Sequence, residues 1–256
     1  PAECFEFAAQ AFDLADRLQT PVFVMSDLDI GMNSRLCNPL QWDDTRAYDR
    51  GKVMTYGDLE TGQEFGRYLD VDGDGITYRT YPGTHPTRGA YFTRGTTKDR
   101  YARYSEAGPD YVDNMQRLLR KFETAKQLMP KPLLRPAAKP ARFGAIYYGS
   151  TSPAMQEALD VLSVRGIHVN ALRVRGFPFQ DEIADFVASH PWVFVIEQNR
   201  DAQLKTLLVN EAKVIASRLL SVLHYDGTPI TARYIVEKIS QHAAARTVVP
   251  LKKVVS

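Results

Sequence analysis

Cysteine is scarce in this sequence: only Cys4 and Cys37 occur, with no Cys-x-x-Cys pair. Two thiols exclude a disulfide framework, cannot supply the four thiolates of an iron–sulfur cluster, and leave no paired seed for a zinc site. A reducing cytoplasm suits such a chain. Charge of one sign is equally lacking, since 32 basic residues against 30 acidic ones leave a net +2. No global field therefore draws nucleic acid or an anionic membrane. No run approaches the roughly 18 apolar residues of a membrane span, and no basic-then-apolar leader opens the chain. It opens on Pro1 with helical spacing already under way, which suggests a fragment or a processed product. What remains is ordinary for a folded protein: 256 residues, 44% hydrophobic and 24% charged, enough for one large or two small domains.

Residues 3–18 place Phe5, Ala8, Ala9, Phe12, Ala15 and Leu18 at helical spacing, which predicts an amphipathic helix. Pro21 breaks it, and the run Val22, Phe23, Val24, Met25 reads as a strand buried in a parallel sheet. One helix and one strand make no core, so this unit is expected to complete a sheet lying upstream or in a partner. Residues 51–106 carry many Gly, Tyr, Arg and Thr and little periodicity, the pattern of a functional or wrapping segment. Helical spacing returns over 110–128 through Val112, Met115, Leu118, Leu119 and Phe122. Pro130, Pro132, Pro136 and Pro140 then read as a stiff linker over 130–141.

From 142 to 242, apolar runs at 143–148, 167–174, 192–196 and 219–223 alternate with helical patterns at 153–164, 181–189, 202–216 and 232–240. Strict β and α alternation implies a doubly wound parallel sheet with helices on both faces. Residues 243–256 are expected to form a tail, either an arm on a partner or a frayed end.

Four constellations carry candidate chemistry. Asp70, Asp72 and Asp74 with Gly75 match the first half of a calcium loop, but Tyr81 stands where the closing Glu belongs. They are weak metal candidates, and a tight acidic turn without an ion is the plainer reading. His85, Arg88 and Arg94 sit in a Gly-rich loop, where guanidinium forks suit carboxylates or phosphates or pair with acids across an interface. In residues 149–153, Ser152 reads as the N-cap of the first helix after residue 142, with Pro153 at its first position; such an N-terminus can hold an anion, and capping alone is the plainer reading. Glu197, Asn199, Arg200, Asp201 and Gln203 fall at the carboxyl end of a strand, as does Asp27, the crevice position of open α/β sheets. They serve there as ligand contacts, or as caps and interface groups. His85, His168, His190, His224 and His242 are dispersed, and no catalytic triad or metal motif emerges.

Several strings together resemble the α subunit of 2-oxoacid:ferredoxin oxidoreductases, notably the branch acting on 2-oxoglutarate: SDLDIGMN (26–33), WDD (42–44), YDRGK (48–52), GRYLDVDGDG (66–75), residues 80–96, LLRKFETA (118–125), EQNRDAQL (197–204) and HYDGTPIT (224–231). The resemblance implies an α/β chain in which residues 1–35 end a thiamine-diphosphate pyrimidine-binding domain. Residues 36–129 would connect it, through the 130–141 linker, to a transketolase-C-terminal-like domain at 142–242. It further implies thiamine diphosphate and Mg²⁺ shared with a β subunit that holds a [4Fe–4S] cluster. The implied partners are the upstream part of the α subunit, the β subunit and ferredoxin, with 2-oxoglutarate and coenzyme A as substrates, in a dimer of αβ units. The implied reaction is oxidative decarboxylation to succinyl-coenzyme A, as in the TCA cycle, or its reverse in carbon fixation.

His85, Arg88 and Arg94 then become candidates for the distal carboxylate of 2-oxoglutarate or for coenzyme A phosphates. No catalytic base is carried over, because the expected glutamate belongs upstream. Ala202 stands where some relatives are thought to have glycine. Two competing assignments remain: another thiamine enzyme, either an oxidoreductase subunit specific for pyruvate or branched-chain 2-oxoacids or a transketolase-like protein without iron–sulfur chemistry, and a non-catalytic flavodoxin-like module whose Asp70 loop takes calcium.

Overall fold

The computed structural model describes residues 1–247. In chain order it begins with helices α1 (Ala2–Leu18), α2 (Leu28–Met32), α3 (Tyr56–Glu60) and α4 (Gly108–Leu128). Then come β1 (Leu133–Arg135), β2 (Phe143–Tyr148), α5 (Thr151–Val164), β3 (Val169–Val174), α6 (Asp181–Ala188), β4 (Trp192–Glu197), α7 (Gln203–Glu211), a short 3₁₀ turn at Ala216–Arg218, β5 (Leu219–Leu223) and α8 (Ala232–Thr247). The chain forms two units. The first comprises residues 1–25 and 34–128, and the second comprises, of the described residues, 26–33 and 129–247.

In the first unit α1 buries Ala9, Leu14 and Leu18 and ends in a left-handed Gln19. Residues 46–79 are fastened to it largely by charge: Arg46 to Asp13 at 2.6 Å, and both Arg50 (2.7 Å) and Arg79 (3.1 Å) to Asp16. Gly51, at φ +68°, lies so close that an added Cβ would stand 2.8 Å from the Arg17 Cα. Gly75, at φ +78°, likewise lies against α4, where an added Cβ would stand 2.2 Å from the Lys121 amide nitrogen. Only a residue without a side chain permits either approach. The stretch predicted to be irregular does wrap its neighbours, with two isolated bridges, Val53 to Arg79 and Lys98 to Tyr104.

The expected strand at 22–25 is not formed: Phe23 and Met25 are exposed, and no strand among the described residues pairs with them. A parallel strand needs neighbours to satisfy its backbone groups, and no other strand is present in this unit. The apolar stripe of α4 also departs from expectation. Val112, Leu119 and Phe122 are exposed, whereas Arg117 and Ala125 are the buried positions.

The second unit is a five-stranded sheet in the order β1-β3-β2-β4-β5, parallel except for β1, which runs antiparallel to β3. Side chains alternate across it as the pleat requires. On one face Ala145, Tyr147, Phe194 and Ile196 pack against Met155 and Leu162 of α5 and Ile235 and Ile239 of α8. On the other, Ile146, Val193 and Val195 meet Ile183 and Val187 of α6 and Leu204 and Leu208 of α7. The continuous apolar runs thus belong to strands covered on both sides.

Four local expectations are corrected. The Pro-rich linker contains β1, an edge strand, where proline is tolerated because one side of the strand needs no ladder bonds. The N-cap of α5 is Ser150 rather than Ser152, which moves Pro153 into the first turn; the missing proline donor is harmless there. The pattern at 202–216 is divided between α7 and the 3₁₀ turn. Of the expected tail, 243–247 continue α8, with Ala243 buried in the core, and 248–256 lie outside the described residues.

Candidate functional site

In the second unit β2 leads through α5 to β3 on one side, and the chain then returns to place β4 on the other side of β2. This reversal opens a crevice at the carboxyl ends of β2 and β4, where doubly wound sheets hold ligands. Two loops form it. After β2 come Gly149, at φ +58°, and the buried Ser150 and Thr151; after β4 come Gln198 and Asn199.

The crevice is filled with hydrogen bonds inside the chain. Gln198 Nε2 donates to Ser150 Oγ at 3.0 Å and Thr151 Oγ1 at 3.3 Å, and its Oε1 accepts from the Ile230 amide at 3.1 Å. The Ser150 hydroxyl donates to Asp27 Oδ2 at 2.5 Å. Asp27 uses its other oxygen to cap α2, accepting from the Ile30 amide at 2.9 Å. Residues 26–33 therefore belong to the sheet domain by their contacts, not to α1, which precedes them in sequence. Beside them an open cavity of about 550 Å³ is bordered by Met32, Asn33, Thr228 and Pro229.

Glu197, fully buried at the end of β4, closes the same region. Its carboxylate accepts from the Leu204 amide (2.7 Å), the Lys205 amide (3.3 Å) and Asn199 Nδ2 (2.7 Å). An internal anion thus satisfies the start of α7, where the first amides of a helix lack partners and the dipole favours negative charge. Asn199 Oδ1 accepts from the Asp201 and Gln203 amides, and Arg200 pairs with Asp201 at 2.7 Å. Burial, followed by the Glu197 carboxylate, holds the Tyr148 phenol above its ordinary range. The arrangement positions backbone and fixes a segment.

The Gly-rich loop is a separate construction in the first unit. His85 Nδ1 accepts from the Thr87 and Arg88 amides, at 3.1 and 2.9 Å, so Nε2 carries the proton donated to Glu60 Oε1 at 2.6 Å. That hydrogen bond holds the Glu60 carboxyl below its ordinary value. The ring stacks on Tyr56 at 4.9 Å. Arg88 donates to the carbonyls of Leu59 (2.7 Å) and Glu60 (3.2 Å). Arg94 alone of the three keeps an exposed guanidinium without a hydrogen bond among the described residues, 5.4 Å from the Tyr104 ring.

The calcium-like turn is closed by the chain's own cations. Lys52 Nζ bridges Asp72 (2.6 Å) and Asp74 (2.8 Å), and Arg120 pairs with Asp70 at 3.0 Å. Among the described residues no group of three or more His, Cys, Asp or Glu is arranged to hold a metal ion.

The sequence-predicted residues thus fall into two sets. Asp27, Glu197 and Asn199 gather near the crevice, with Arg200, Asp201 and Gln203 on its rim, while His85, Arg88 and Arg94 belong to the first unit. The hub of the crevice, Ser150 with Gln198, lies next to the expected cap Ser152 and inside the EQNRDAQL string, so the sequence marks the region at both strand ends without giving either residue a role of its own.

No protein-family model matches the chain. The curated α subunit of 2-oxoacid:ferredoxin oxidoreductase 2 from Aeropyrum pernix is 25% identical over 257 aligned residues, covering 96% of this chain and 38% of that protein. The solved 2-oxoglutarate:ferredoxin oxidoreductase from Magnetococcus marinus, with 2-oxoglutarate, coenzyme A and succinyl-CoA bound, superposes with a TM-score of 0.74 at 20% identity, covering 90% of this chain and 38% of that chain. This chain therefore spans a little over a third of the length of each.

Proposed function

For a chain similar along nearly its whole length to the α subunits of 2-oxoacid:ferredoxin oxidoreductases, we propose a role as part of such a subunit, active only in the assembled enzyme. The observation that carries this reading is collinearity. One curated relative aligns with 96% of the sequence, and one solved structure of a similarly named enzyme shares the fold of 90% of it, across both structural units. The assembled enzyme would convert 2-oxoglutarate, coenzyme A and oxidised ferredoxin to succinyl-coenzyme A, carbon dioxide and reduced ferredoxin, in the cytoplasm. The strings that suggested this branch from sequence, and the ligands of the Magnetococcus marinus enzyme, support 2-oxoglutarate over pyruvate or branched-chain acids.

The residues present do not fit an iron–sulfur cluster, which takes four thiolates, whereas Cys4 and Cys37 are two exposed and separate thiols. Among the described residues no three or more His, Cys, Asp or Glu side chains gather as a metal cage. In this proposal those groups, and the chemistry of thiamine diphosphate, are held by partner chains. This chain contributes docking and positioning: the crevice between β2 and β4 immobilises residues 26–33, and Arg94 presents an exposed cation for a substrate carboxylate or a coenzyme A phosphate. The exposed apolar residues Phe23, Met25, Val112, Leu119 and Phe122 fit a chain whose partners cover them.

Coenzyme-A-dependent reduction of a viologen by the assembled enzyme tests the substrate. The proposal expects kcat/KM for 2-oxoglutarate at least tenfold above that for pyruvate or 2-oxoisovalerate. Preference for either competitor would overturn the 2-oxoglutarate assignment, and absence of turnover with every 2-oxoacid would overturn the family reading.

A further inference from the structure

Beside α4, entirely within the first unit, a cavity of about 370 Å³ is lined by Arg67, Lys98, Arg117 and Lys121 and by no Asp or Glu. Three of these cations converge on one ring. The guanidinium carbons of Arg67 and Arg117 and the Lys98 Nζ lie 5.4, 5.6 and 5.2 Å from the centroid of Tyr68.

Their hydrogen bonds go to neutral oxygens. Arg67 Nη1 donates to Thr77 Oγ1 (2.9 Å), Lys98 Nζ to Thr93 Oγ1 (3.2 Å), Arg117 Nη1 to the Gly75 carbonyl (3.0 Å) and Lys121 Nζ to Thr20 Oγ1. None of the four forms an ion pair among the described residues. Acids are close by but engaged elsewhere: Asp70 with Arg120, and Asp72 and Asp74 with Lys52.

Gathering like charges in a partly dry cavity is unfavourable unless something opposes them. The strain registers on the groups themselves. Arg117 Nε is buried without a hydrogen-bond partner, and the Lys121 ammonium is pushed down to about 8 by burial, then by Arg117 and Arg67. A cavity lined by four cations without ion pairs of their own and by no acid, with Thr96 and Thr97 also on its wall, has the donor set of an anion site, even though Asp70 acts on Arg117 from outside the lining.

We propose that this cavity binds a multiply charged oxyanion group, either a phosphate or the paired carboxylates of a small di-acid, between the forks of Arg67 and Arg117 and the ammonium groups of Lys98 and Lys121. The chemistry is shared by the two ligand classes, and the choice between them is experimental. The cavity belongs to the first unit, so a negative result here leaves the oxidoreductase assignment standing.

The test uses the full chain, titrated calorimetrically with inorganic pyrophosphate and, separately, with 2-oxoglutarate at near-physiological ionic strength. The expected result is single-site binding of at least one probe, weakened tenfold or more in Lys98→Met and in Arg67→Met. Tighter binding of pyrophosphate assigns the site to phosphate, and tighter binding of 2-oxoglutarate assigns it to a di-acid. Melting curves supply a readout that needs no variant, because a ligand of the folded state raises the midpoint. Failure of both probes to bind or to raise the midpoint overturns the proposal, as does undiminished affinity in a folded Arg67→Met/Lys98→Met double variant.

Discussion

The Ser150 hydroxyl and the Asp27 carboxylate, 123 positions apart in sequence, meet at 2.5 Å at the mouth of a parallel sheet. Through that bond the segment 26–33 occupies the place where doubly wound sheets commonly take a ligand. Asp27 is exposed, so the contact adds little to global stability. Its expected effect is local order. Ser150→Ala should speed hydrogen exchange at the Ile30 and Gly31 amides at least tenfold while leaving the β4 amides protected; unchanged exchange at Ile30 would show that the segment is held by something else.

Glu197 is a stronger anchor because it is completely buried and accepts two amides from the first turn of α7. Removing it strands those donors, at about 2–3 kcal/mol for a charged, buried acceptor. Chemical denaturation should show that loss for Glu197→Ala and a markedly smaller one for Glu197→Gln, which keeps an oxygen in place.

Ala202, just before α7, is held left-handed at φ 51°, a conformation that costs a residue with a Cβ about 1 kcal/mol. Ala202→Gly should therefore raise unfolding free energy by roughly that amount, a sign opposite to that of glycine introduced inside a helix.

Phe194 has no exposed surface and packs at the centre of the sheet face beneath α5 and α8. Phe194→Ala should cost about 3–5 kcal/mol, as large aromatic truncations in cores do, and would be read as a shift of the denaturation midpoint.

Much of this architecture is legible in the sequence, for a reason visible in Ala145, Ile146, Phe194 and Val195. Strands buried on both faces must be apolar at every position, so 143–148 and 192–196 stand out between turn signals. The parts that escaped depend on what is not local. Residues 22–25 have the same apolar run but no neighbouring strand to pair with, and β1 is three residues long among prolines. The bond from Ser150 to Asp27, and the gathering of Arg67, Lys98, Arg117 and Lys121 at one cavity, join positions with no shared periodicity. The crevice itself was legible from strand ends, whereas its occupation by the chain's own segment was not.

Lys121 gives a signature in pH. Its folded-state pKa, about 8, lies below the ordinary lysine value of 10.5. The unfolded chain therefore holds more protons between those limits, and stability contributed at this position rises as pH climbs from about 8 toward 10.5. The parent chain should gain stability relative to Lys121→Met across that window, with no comparable trend between pH 6 and 7. A flat difference would place Lys121 in an unstrained environment.

In the proposed role this chain acts only in company: its two cysteines are too few for a cluster, and among the described residues no three or more metal-binding side chains gather. Coenzyme-A-dependent viologen reduction with 2-oxoglutarate, measured for the chain alone and for the assembled enzyme containing it, tests this most directly. The account predicts no turnover from the chain alone and 2-oxoglutarate-dependent reduction from the assembly. Turnover by the isolated chain, or an assembly equally active without it, would contradict the account.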